Sequence, residues 1–309
     1  MSRTIEALQI ILPVLLALSL GVLCRSRGLI SRSGVDALKT VAVNIGLPAV
    51  LLHTFAAAEY SLATLIVPLC MYLVCILAWL LGKLAVRTQG FSSPFLPFLT
   101  TGFEAGMLGY TLFTLLYGKD SLADFARVDL GQVLFVFTLY KLLLGLNTDN
   151  RSAPRQLIRE MVFSPIILAI LGGVLLGATG LYRAMVPSGL AGLLDACTDF
   201  LSAPVSVLIL IAVGYDLVFR EVPWRETLKA VVLRTVIMAV LGAAALFLFR
   251  SLWPESRWDH AVVLMFMLPP PFVLPVFSRE ESQRAYVSSV LSLSTLLTVA
   301  GFIVLAAVG

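Results

Sequence analysis

Met267-Leu268-Pro269-Pro270-Pro271-Phe272-Val273-Leu274-Pro275 sets three consecutive prolines inside the apolar run 259–277. A run of that length and character reads as a membrane-spanning helix, and three prolines remove three backbone donors, so no regular helix continues through them. Earlier in the chain, the apolar run 94–117 carries Thr101-Gly102-Phe103-Glu104-Ala105-Gly106-Met107-Leu108-Gly109-Tyr110-Thr111, rich in glycine and holding one carboxylate. An offset of 160 positions lays Gly109, Tyr110 and Thr111 over Pro269, Pro270 and Pro271, and Tyr117-Gly118-Lys119-Asp120 over Phe277-Ser278-Arg279-Glu280. Interrupted spans in corresponding positions of two halves point to an inverted-repeat transporter with its substrate site near the membrane midplane.

The composition agrees. Of 309 residues, 59% are hydrophobic and 13% charged, with a mean hydropathy of +0.98. Soluble domains carry about 25% charged residues, so a water-soluble enzyme is excluded at this stage. Cys24, Cys70, Cys75 and Cys197 are scattered, and His53 and His260 stand far apart, so neither a disulfide framework nor a metal site is indicated and no cofactor is expected. The net charge of +4 fits basic loops retained in the cytoplasm, not a nucleic-acid partner. The first apolar run lacks a small-residue cleavage site before Cys24-Arg25 and reads as a retained helix.

Hydropathy divides the chain into ten spans, at 5–24, 35–56, 61–82, 94–117, 124–146, 161–180, 191–219, 226–249, 259–277 and 284–308. The expected fold is an all-α polytopic membrane protein with a first five-helix repeat over 1–146, a cytoplasmic linker over 147–160, and a second repeat over 161–309. An offset of 152 pairs Pro13 with Pro165, Gly21 with Gly173, Val22 with Val174, Leu23 with Leu175 and Gly28 with Gly180, and an offset of 156 pairs Pro48 with Pro204. Most of the 22 Lys and Arg residues, among them Arg25, Lys39, Arg151, Arg155, Arg225, Arg234 and Arg284, fall on one side of this alternation. That side is expected to be cytoplasmic, which puts both termini outside.

Glu104 lies near the middle of its span, where an ionised carboxylate costs about 3 kcal/mol on insertion scales. It must be paired, hydrated or protonated, and it reads either as a proton carrier or as a neutral hydrogen-bonded lock between helices. Gly106, Met107, Gly109 and Thr111 join it as candidate substrate contacts, with Pro269, Pro270 and Pro271 on the other span. Asn44, in Asn44-Ile45-Gly46-Leu47-Pro48, offers an amide where Gly46 and Pro48 can bend a helix, and serves binding or packing equally well. Lys141 and Asp199 are the remaining charges that can reach inward; Asp129, Asp195 and Asp216 read as helix-end residues.

Asn44-Ile45-Gly46-Leu47-Pro48-Ala49-Val50-Leu51-Leu52 resembles the second-helix stretch N-x-x-L-P-x-x-L-L of the auxin efflux carrier family, the plant PIN proteins and their bacterial permease relatives. Phe103 to Thr111, followed by Leu116-Tyr117-Gly118, is similar to that family's fourth-helix pattern, and Ser292-Leu293-Ser294-Thr295-Leu296 to its final helix. The resemblance implies a fold of the sodium/proton-antiporter and bile-acid-transporter type, with helices four and nine crossing at the substrate site. It further implies elevator-like alternating access, organic anions as substrates, a homodimer, and a bacterial inner membrane. Two positions depart from the pattern: Glu104 stands where the family has asparagine, and Thr111 where it has proline.

The resulting expectation is a secondary transporter of a small organic solute, a carboxylate above all, coupled to protons through Glu104 or, as the alternative, to sodium. Positive ends of broken half-helices can hold an anion without a basic side chain. No nucleotide-binding motif, His-Glu-x-x-His or paired catalytic aspartate motif occurs, so neither ATP drive nor an intramembrane enzyme is expected; a non-transporting sensor remains a further alternative.

Overall fold

The structure is a computed structural model, and it describes residues 3–58, 63–89, 91, 93–147, 159, 162–217, 224–254, 256, 258–278 and 280–308. The linker expected over 147–160, with Arg151 and Arg155, lies almost wholly outside the described residues, as does Arg279. All regular structure among the described residues is helical. Twelve segments organise the chain: α1 Arg3–Ser26, α2 Arg32–Ala57, α3 Ala63–Gln89, α4 Leu96–Leu99, α5 Ala105–Tyr117, α6 Lys119–Leu146, α7 Pro165–Ala178, α8 Leu181–Met185, α9 Leu190–Asp216, α10 Trp224–Leu252, α11 Asp259–Met267 and α12 Glu281–Val308. Seven of them, α1, α2, α3, α6, α9, α10 and α12, are long and apolar enough to cross a membrane, and α5 and α7 are shorter apolar helices.

Local sequence explains where these helices start and bend. Ser31 caps α2 by accepting the Gly34 N–H at 3.1 Å, and Ser164 caps α7 just before Pro165, whose missing N–H costs nothing in the first turn. Single π-helical turns interrupt α2 at Ala42–Gly46 and α6 at Val136–Tyr140, and α5 opens on another at Ala105–Gly109. The α9 helix bends at Ala203 and Pro204.

Glycines set the closest approaches. A Cβ on Gly21 of α1 would lie 2.1 Å from the Ile211 carbonyl oxygen of α9, and one on Gly173 of α7 would lie 2.6 Å from the Leu52 carbonyl and 2.8 Å from Phe55 Cβ on α2. Two backbones meet at van der Waals distance only because no side chain separates them. Gly46, in the π turn of α2, makes room for a side chain instead: a Cβ there would lie 2.1 Å from Val205 Cγ2 at the bend of α9. Outward faces are greasy: Leu69, Leu73, Leu77, Leu80 and Leu84 form one exposed stripe along α3, spaced at three and four residues. A stripe of that extent needs an apolar solvent, and the hydrocarbon of a bilayer supplies it.

Ion pairs gather at the helix ends. Asp216, at the C-terminus of α9, receives Arg32 at 2.6 Å and pairs with Lys39, both on α2. Arg25, in the last turn of α1, donates to the Tyr215 and Leu217 carbonyls, meeting the negative end of α9 with a cation.

Candidate functional site

Both sequence-flagged spans are broken, and the two breaks touch. Between α4 and α5 the chain leaves the helix at Thr100 and re-enters at Ala105; after α11 it leaves at Leu268 and regains only a 3-10 turn at Leu274–Phe277. The register differs from the expected offset of 160. Gly109, Tyr110 and Thr111 lie within α5, and the stretch facing Leu268 to Pro271 is Thr100 to Glu104. The reason is conformational: Gly106 and Gly109 tolerate helix, whereas Gly102 adopts φ +67° and ends it. A Cβ at Gly102 would also lie 2.9 Å from the Pro271 ring, so only glycine lets the two breaks close on each other.

Glu104 joins them. Its N–H donates to the Pro269 carbonyl at 2.9 Å, and its side chain accepts the Phe272 N–H on Oε2 at 2.6 Å and the Met107 N–H on Oε1 at 3.2 Å. The carboxyl thus takes the free donor that follows the prolines together with one of the orphan donors in the first turn of α5. It is 9% exposed.

On the other side of the crossing, Arg234 of α10 reaches in, 4% exposed, and donates to the carbonyls of Leu99 at 2.9 Å, Gly102 at 2.8 Å and Leu268 at 2.9 Å. The Leu99 and Leu268 carbonyls close α4 and α11, where helical partners run out, and that of Gly102 lies in the break itself. Thr101 donates to the Cys75 carbonyl at 2.6 Å, and Thr298 to that of Met267, fastening the breaks to α3 and α12.

A cavity of about 840 Å³ ends at this crossing. The α6 helix contributes Asp129, Gln132, Val133, Val136, Phe137 and Lys141, whose spacing of three and four residues defines one face. The α2 face that starts at Arg32 and Lys39 runs along it to Leu51, and α12 closes it from Arg284 to Thr295. One end is therefore charged, with Arg32, Lys39, Lys141 and Arg284, while Asp129 lies about 18 Å along α6 from Lys141 at 1.5 Å per residue. Asp129 is 1% exposed and accepts Gln132 Nε2 at 3.0 Å.

Of the residues singled out from sequence, Glu104, Gly106, Met107 and Pro271 line the cavity. Pro269 and Pro270 are buried beside it, Gly109 packs against Leu268 and Phe125, and Thr111 donates to the Met107 carbonyl at 3.1 Å. Asn44 lies in the π turn of α2 but is exposed and off the cavity wall. Lys141 lines the cavity; Asp199 does not, being exposed and paired with Lys119 at 2.6 Å.

Sequence reading underrated three residues. Asp129 reads from sequence as a helix-end residue, whereas helical intervals counted back from Lys141 put it on the cavity face. Gln132, one turn further along, carried no charge to draw attention. Arg234 groups by sequence with the basic cytoplasmic side, but it stands ten residues inside α10, about 15 Å from the helix start. No family model matches the chain, and no curated protein matches it.

Proposed function

We propose that the chain is a secondary transporter of a small organic solute, built as ten spans in two inverted five-helix repeats, 1–146 and 161–309, that work by alternating access. The observation that carries this reading is the pair of broken helices whose ends are bound by Glu104 and Arg234 at the floor of a cavity of about 840 Å³. Irregular backbone at membrane depth is tolerated where it lines such a cavity, and there it supplies the polar groups of a substrate site. The repeat is supported by exchanged packing: Gly21 of α1 meets α9 at Ile211, while Gly173, its counterpart at offset 152, meets α2 at Phe55. Shifting Phe55 by the offset of 156 gives Ile211, so one contact is the image of the other.

Glu104 is the coupling group in this reading. It can hold a proton or a charge-bearing ligand at the crossing, and its two amide partners can change with the state of the helices. An organic anion, as the auxin efflux carrier resemblance implies, reaches those amides only when the Glu104 carboxyl gives them up. The basic end of the cavity faces the cytoplasm, and both termini face out.

The test is uptake and counterflow in proteoliposomes after a thermal-shift screen of organic acids, amines and neutral metabolites, since a ligand raises apparent stability by mass action. Proton-driven accumulation should disappear in Glu104→Gln. A protein that binds members of the panel but catalyses no counterflow is not a transporter of them, and unchanged proton-driven uptake in Glu104→Gln removes the carboxyl from coupling.

A further inference from the structure

The geometry points to a protonated amine on an apolar body as the ligand of the cavity, an inference that rests on the transporter reading for its direction of movement but not for its binding site. A carboxylate needs donors, and the donors at the crossing are spent: the Met107 and Phe272 N–H groups both end on Glu104, and Pro269, Pro270 and Pro271 have none to give. Toward the deep end stand the Asp129 carboxylate and the Gln132 amide, and the Thr295 hydroxyl there already donates to the Leu291 carbonyl.

Gln132 is the decisive one. It is 4% exposed, lines the cavity, and its Oε1 is buried with no hydrogen-bond partner. The orientation of its amide is set by Asp129, which accepts Nε2–H at 3.0 Å, so the oxygen of Gln132 is turned away from that carboxylate. An orphaned buried acceptor is costly and calls for a donor. Glu104, Asp129 and Gln132 therefore set two carboxylates and an unfilled carbonyl in the wall of one cavity, and an ammonium carries three N–H donors with a positive charge.

The rest of the wall specifies what the ammonium is attached to. Phe103, Phe137, Phe272, Leu51 and Val133 supply apolar surface; aromatic faces attract cations, and here Lys141 lies 4.4 Å from the Phe137 ring and Arg234 5.8 Å from that of Phe103. A bare inorganic cation would leave most of the 840 Å³ without a filler. At the charged end Arg32 and Lys39 are held by Asp216, with Asp36 beside Arg32 at 3.5 Å, and Arg284 donates to the Ser278 carbonyl, so two of the four cations there meet an approaching ligand as ion pairs.

Purified full-length protein in detergent can be challenged with phenethylammonium, 3-phenylpropionate, 2-phenylethanol and sodium chloride, reading the unfolding temperature, and the same probes can be followed in counterflow. The expected result is stabilisation by the ammonium and not by the carboxylate, the alcohol or sodium. Gln132→Leu should weaken ammonium binding by about tenfold, the worth of one hydrogen bond to a charged group, while the unliganded protein melts no lower because an orphaned polar atom has been removed. Asp129→Asn should weaken it too. Stabilisation by 3-phenylpropionate or by sodium alone, absence of any shift with the ammonium, or an ammonium shift indifferent to both substitutions overturns the inference. Ammonium binding without counterflow overturns transport and leaves the site standing; counterflow of the carboxylate but not of the ammonium does the reverse.

Discussion

Glu104 and Arg234 bind opposite electrical ends of the same two helix breaks. The carboxylate accepts the Met107 and Phe272 N–H groups where the chain resumes, and the guanidinium donates to the Leu99 and Leu268 carbonyls where it stopped. Helix ends carry partial charges of these signs, positive at the start and negative at the finish. Each break is therefore compensated by a fixed side chain, and the crossing can stay in an apolar interior without a ligand.

Arg234 should be indispensable to folding. Arg234→Ala strands buried carbonyls of two helices and is expected to cost about 3 kcal/mol or more. Thermal unfolding in detergent measures it, with Arg234→Lys intermediate, because a single ammonium cannot reproduce the planar fork that spans both breaks. An Arg234→Ala protein as stable as the original would mean water replaces the guanidinium.

Gly21 and Gly173 should behave alike. An added methyl at either collides with a neighbouring backbone, 2.1 Å from Ile211 O for Gly21 and 2.6 Å from Leu52 O for Gly173. Gly21→Ala and Gly173→Ala should each destabilise by about 1–3 kcal/mol through overpacking, although alanine is the better helix former. Stabilisation by either substitution in a melting experiment would show that the helices separate freely there.

Replacing Pro269, Pro270 and Pro271 together by alanine restores three backbone donors and lets α11 extend. The protein should still fold, since Arg234 and Thr298 hold the preceding carbonyls, but ligand-induced stabilisation should vanish as the Phe272 N–H leaves Glu104. Retained ligand-induced stabilisation would reduce the prolines to a packing kink.

Orientation is checked by a reporter that works only in the cytoplasm. Fused after Gly309 it should be silent, and inserted in the 147–160 linker it should be active. The opposite pattern would turn the cavity's basic end outward.

The amino-acid sequence alone determined that this protein lives in a bilayer, because nothing but hydrocarbon can solvate runs such as 5–24 and 226–249, and hydropathy is a local property that needs no tertiary information. Proline chemistry is equally local, so the break at Pro269 to Pro271 was legible, and the cost of a charge at membrane depth drew attention to Glu104. The exact break in the fourth span was not legible: glycine permits a turn without requiring one, and only contact with Pro271 decides that Gly102 and not Gly109 leaves the helix. Asp129 and Gln132 likewise come to the cavity wall, and Arg234 to the crossing, through helix rotation and depth, which packing sets. Asn44 went the other way, turned outward by a π turn that shifts the phase of α2. Residue type is written in the chain, but the partner that satisfies a buried polar group is chosen by which helices meet.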